Sequence, residues 1–203
     1  SGVFDIGFRN GNSQKRETTL QSGVITGLEA TTEGPINKDN GASYLLGYRY
    51  SLAGIAQGMG INIGTASTPS YQDLSYKINS GNTAYGLFTL FGILAASSIR
   101  IEDSKPSANT LYGNGDKTDF DSKIGIAGLK HFLQINSSSY LNSSIGLNYS
   151  KSNQTNYRTD RQTDISEINE INNIAKTGLN FITNYNSKIN SRLFIKVGAQ
   201  AEW

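Results

Sequence analysis

From Leu193 to Trp203 the chain alternates: Leu193, Ile195, Val197, Ala199, Ala201 and Trp203 take every second place, and Phe194, Lys196, Gly198, Gln200 and Glu202 fill the gaps. Successive side chains of a strand point to opposite faces, so a period of two commits the segment to a sheet with unlike faces. The pattern recurs. Leu141, Ile145, Leu147 and Tyr149 oppose Asn142, Ser144, Gly146 and Asn148, and Thr177, Leu179, Phe181, Thr183 and Tyr185 oppose Gly178, Asn180, Ile182 and Asn184. An apolar row of this kind faces a protein core in a soluble sandwich and lipid in an outer-membrane barrel.

Period two and turn residues together predict strands over residues 3–9, 17–25, 28–36, 42–51, 71–79, 85–101, 118–135, 140–154, 174–186 and 192–203. Several exceed the usual strand of about 5–6 residues, which favours a barrel. The links alternate in length. NKDNG, SGNTA, NSSS and SKINS are short, whereas residues 52–70, 102–117 and 155–173 form long polar connections. Transmembrane barrels pair tight periplasmic turns with longer external loops. Tyr44, Tyr48, Tyr50, Tyr71, Tyr85, Tyr140, Tyr149, Tyr185 and Trp203 sit near strand ends, where amphipathic rings suit a headgroup level and where tyrosine is also a good strand former.

The totals remove other classes. No segment approaches the roughly 18 consecutive apolar residues of a membrane helix. With 18 basic and 16 acidic residues dispersed along 203, no Lys/Arg cluster marks a nucleic-acid surface. The absence of cysteine excludes disulfides, thiolate metal sites and cysteine nucleophiles.

The succession SGVFDIGFRNGN, KRETTLQSGVITGLEATTEGPI, ASYLLGYRYSL, YQDLSYKIN and GLFTLFGILAASSI resembles TonB-dependent outer-membrane receptors of Gram-negative bacteria, at the junction of plug and barrel. The resemblance covers roughly residues 1 to 135. It implies that residues 1–15 end a plug domain and that residues 16–203 supply barrel strands, about nine of the roughly 22 in such a receptor. The implied fold is an all-β antiparallel transmembrane barrel in the bacterial outer membrane. The implied activity is energised nutrient uptake, with the lipid bilayer, the rest of the receptor, the TonB system and a surface lipoprotein as partners. A small self-contained barrel and a soluble β-sandwich binding module remain as alternatives.

Chemistry is sparse. His131 is the sole histidine and reads as a strand-end residue with a hydrogen-bond partner. No GxSxG elbow occurs, and Asp116, Asp119 and Asp121 lack the ligand order of a calcium loop. These features predict no enzyme, cofactor or metal. Leu52, Ile55 and Met59 share a helical face in the long link after residue 51, and with Tyr112 and Tyr157 they are the candidate external-loop contacts. Ile165, Ile168, Ile171 and Ile174 recur every third residue, which fits either a short helix or a strand of disguised period.

Overall fold

The computed structural model describes residues 7–23, 27–52, 68–102, 116–160, 163 and 165–203. These form one antiparallel sheet of nine strands in sequence order: β1 (Glu17–Gly23), β2 (Gly27–Asn37), β3 (Ala42–Tyr50), β4 (Thr68–Asn79), β5 (Leu87–Glu102), β6 (Lys117–Asn136), β7 (Ser139–Thr159), β8 (Ser166–Lys188) and β9 (Phe194–Glu202). Each strand pairs with its chain neighbours, and β1 and β9 are the two edges of an open sheet.

Paired residues share a face, so the register can be followed across the sheet. One row runs through Leu46, Tyr76, Gly92, Ala127, Leu147 and Leu179, and the next through Tyr44, Ile78, Leu90, Leu129, Ile145, Phe181 and Ala201. This is the apolar face. The opposite face carries Glu29, Glu33, Arg49, Asp73, Ser75, Lys77, Asn142, Asn148, Asn184 and Lys196, interrupted on β5 and β6 by Phe91, Ile93 and Ile126. Tyr48, Tyr50, Tyr149 and Tyr185 join Tyr44 on the apolar face, whereas Tyr71 and Tyr140 lie on the other.

A globular domain would bury its apolar row, and this sheet does not. Among the described residues the only buried hydrophobic side chain is Ala42, while Leu94 is 53% and Leu147 50% exposed. A leucine left half exposed forgoes about 1 kcal/mol, and about ten such residues match the whole stability of an ordinary domain. The apolar face therefore stays uncovered among the described residues.

The two ends of the sheet differ. At one end Asn40 and Gly41 close the β2 to β3 turn, with Gly41 at φ 77° in the left-handed region that an Asn-Gly turn needs. Asn40 then bonds the neighbouring turn: its side chain donates to the Ser80 carbonyl at 3.1 Å, and its own carbonyl accepts from the Asn82 amide at 2.8 Å. At the other end β5 to β8 continue as polar strands. Thus β7 reaches Thr159 and β8 begins at Ser166, so the long polar loop expected over residues 155–173 shrinks to residues 160–165. Amides and hydroxyls facing their own kind leave no hydrophobic period to read.

Two further expectations change. Ile165 lies just before β8, and the other three isoleucines belong to it: a register shift opposite Asn156/Tyr157 inserts an extra residue and places Ile168 and Ile171 on the apolar face, with Ile174 on the other. The strand expected over residues 3–9 is absent in its described part: residues 7–9 have no regular structure, and side chains of the sheet bind them instead of a ladder. Residues 3–6 lie outside the described residues.

Close packing leaves no room for a side chain at Gly92. A Cβ at Gly92 would stand 2.5 Å from the Ile126 carbonyl oxygen and 2.6 Å from the Tyr76 ring, whereas at Gly125 nothing lies closer than 3.5 Å. Gly92→Ala should cost about 1–3 kcal/mol in chemical denaturation followed by circular dichroism, and Gly125→Ala should be neutral or slightly stabilising.

Candidate functional site

The polar face holds the one described segment outside the sheet that docks on it, the strap of residues 7–16 leading into β1. Arg9 sets it. Its guanidinium donates two hydrogen bonds of 2.5 Å to the two carboxylate oxygens of Glu33 on β2, and the same carboxylate accepts from the Asn12 amide at 2.8 Å. The paired geometry of fork and carboxylate gives direction as well as strength. Glu33 holds the Arg9 guanidinium above its ordinary range through that hydrogen bond. One residue earlier, the Lys77 ammonium on β4 donates to the Phe8 carbonyl at 2.5 Å. The strap is thus fixed from two strands, through contacts 24 and 69 residues apart in sequence.

Two clefts flank it. The larger, about 650 Å³, is lined by Phe8, Arg9, Gln21, Glu29, Thr31, Arg49, Asp73 and Ser75. Within it Arg49 Nε donates to Asp73 at 2.8 Å, and the Arg49 guanidinium lies 5.2 Å from the Tyr71 ring centroid. The smaller cleft, about 290 Å³, lies between Phe8, Phe91, Ile93, Ile126 and the two ammonium groups of Lys77 and Lys130. Such walls supply charge pairs, hydroxyls and amides for holding a polar segment or solute. None of these side chains is arranged as a nucleophile with its base.

The residues singled out from sequence fall elsewhere. Leu52 is half-buried just past β3. Ile55, Met59 and Tyr112 lie outside the described residues. Tyr157 stands on β7 rather than in a loop, opposite Lys117 and Ile168, and its hydroxyl bonds Asp119. His131 meets its expectation: its ring stacks on Phe88 at 4.4 Å, and Nε2 lies 2.8 Å from the Tyr85 carbonyl. The acidic residues do not gather, and among the described residues no group of three could hold a metal ion. Asp116 accepts from the Thr159 amide at 3.0 Å, and Asp119 receives Arg100 Nε and Nη2 at 2.6 and 2.9 Å.

Sequence reasoning did not single out Arg9, Glu33, Lys77, Arg49 or Asp73. The placement of Glu29, Glu33 and Arg49 on one parity of β2 and β3 marks a wet face, yet nothing in a linear sequence pairs Arg9 with Glu33.

No protein-family model matches the chain, and no curated protein matches it either.

Two measurements check the site. Trypsin cuts after Arg9 only when its side chain is free, so Glu33→Gln should raise the cleavage rate at Arg9 roughly fivefold, the loss expected for an exposed charge-assisted pair. At the far end of the sheet, hydrogen bonding from Arg100 lowers the Asp119 pKa. Its contribution to stability is complete above the ordinary carboxylate range near pH 4 and is lost as pH falls through the lowered value. Asp119→Asn should remove that acid step from a pH titration of stability.

Proposed function

We propose that this chain is wall and lumen of an outer-membrane uptake receptor of the TonB-dependent kind, with the apolar face toward lipid and the polar face toward the lumen. One observation carries this reading: an uncovered apolar band of constant depth backs onto a polar face that binds the strap. On β6 to β8 the band covers Gly125 to Leu133, Leu141 to Tyr149 and Thr177 to Tyr185. Roughly nine residues rise about 30 Å along a strand and, at the tilt of about 40° usual in barrels, about 23 Å along the normal. The lipid-facing band of such barrels is about 25 Å tall.

In this reading the strap is the end of a plug, held to the wall by Arg9 with Glu33 and by Phe8 with Lys77. The polar extensions of β5 to β8 stand above the outer leaflet, and the tight turns tied by Asn40 are periplasmic. The wall positions a nutrient and the plug rather than performing chemistry, and energy reaches the plug through TonB. Unpaired strand edges are not tolerated in lipid. The open edges of β1 and β9 therefore favour a larger barrel, completed by further strands, over a small barrel closed by this sheet. Lipid, those strands, TonB and a surface lipoprotein are the partners the reading entails.

The chain has no cysteine, so single cysteines report cleanly. In outer membranes of cells making the protein, an environment-sensitive thiol dye at Leu147→Cys should show a blue-shifted emission quenched by lipid-borne quenchers, while the same dye at the adjacent Asn148→Cys should be quenched only by aqueous iodide. Equal aqueous quenching at both positions, with the protein recovered as a monomer in detergent-free buffer, would sink the membrane reading.

A further inference from the structure

Just above the apolar band the register places two lysines side by side on the apolar face. The row reads Gln72, Ala96, Lys123, Lys151 and Ala175, with Lys123 directly opposite Lys151. Directly opposed residues have Cβ atoms about 5 Å apart, and like charges there destabilise a sheet. Neither lysine has an ion pair among the described residues, and both are exposed. The acids further up are engaged: Asp119 by Arg100, and Glu102 by Lys117 at 3.8 Å. Asp121 stands one row above, opposite Asn153 and Ser98. The sheet thus keeps two unneutralised cations on the boundary of its apolar band.

A groove of about 360 Å³ descends from Lys123 into that band. Ala96 and Gly125 make its floor, and Tyr48, Leu74, Leu94 and Tyr149 make its walls. Cations at the head of an apolar channel match the chemistry of an amphiphile with an anionic headgroup.

Resting on the membrane reading above, we infer that Lys123 and Lys151 together bind the phosphate of an anionic lipid of the surrounding bilayer, whose acyl chain lies in the groove below. Each ammonium donates to phosphate oxygens in charge-assisted bonds, which relieves the repulsion between the two lysines. A lysine near an anionic membrane surface is worth about a factor of five in partitioning, so the pair should select anionic over zwitterionic lipid by between about fivefold and about twenty-fivefold.

The test uses protein isolated from outer membranes and reconstituted in vesicles, with Trp203→Phe and Tyr149→Trp placing the single tryptophan in the groove wall. Brominated phosphatidylglycerol should quench that tryptophan with about a five- to twenty-fivefold higher apparent affinity than brominated phosphatidylcholine. Lys123→Gln with Lys151→Gln should bring the ratio to one, and Lys123→Arg with Lys151→Arg should keep it. Equal quenching by both lipids in the lysine protein would overturn the lipid site while leaving the membrane reading intact. No quenching by either lipid would overturn both. Loss of the preference on adding millimolar inorganic phosphate at constant ionic strength would assign the lysines to free phosphate and also overturn the proposal.

Discussion

Every feature of this protein depends on the antiparallel ladder keeping its parity across nine strands. Because side chains alternate with a period of two, one uncompensated slip would turn an entire strand inside out. The register shifts that occur lie at Pro35/Asn37, Gln134/Asn136 and Asn156/Tyr157. The first two sit next to the tight turns and the third lies in the polar extension. The band itself contains none, so each strand keeps the same side turned to the apolar face from β2 to β9.

That constraint makes the usual ledger of a folded domain inapplicable. With Ala42 as the only buried hydrophobic side chain among the described residues, stability within the sheet rests on backbone pairing and on cross-strand contacts such as Tyr76 over Gly92. The apolar face adds stability only against a medium that takes it out of water, and a bilayer does so without needing a complementary shape.

The polar face has the opposite requirement. Charges such as Glu33, Arg49, Asp73 and Lys77 need water or partners, and the sheet gives them both: Arg49 meets Asp73 across one strand pair, while Glu33 and Lys77 capture the strap. The same side chains that make this face wet also fix the one described segment that leaves the sheet. Charges at the upper rim of the apolar face are of another kind, since Arg100 and Asp119 neutralise one another whereas Lys123 and Lys151 stand together. In the proposed membrane reading, this difference would mark the boundary between lipid and water along the strands.

The strands were most legible where apolar and polar residues alternate: β3, β7, β8 and β9 include the alternating runs Tyr44 to Tyr50, Leu141 to Tyr149, Thr177 to Tyr185 and Ile195 to Ala201, whereas β5 is apolar on both faces through Phe91 and Ile93. The extensions of β7 and β8 were not, because Asn153, Thr155, Asn172 and Asn173 carry no contrast between faces, and the bulge opposite Tyr157 disguised the isoleucines as a helical repeat. By itself the sequence determined the all-β class, the alternation and the absence of thiol chemistry, since these are properties of side-chain order and composition. The tertiary structure decided that the strands form one open sheet, that Arg9 reaches Glu33, and that Lys123 meets Lys151. The reason is physical: pairing between strands fixes contacts between residues far apart in the chain, and local periodicity does not encode which distant partner a side chain will face.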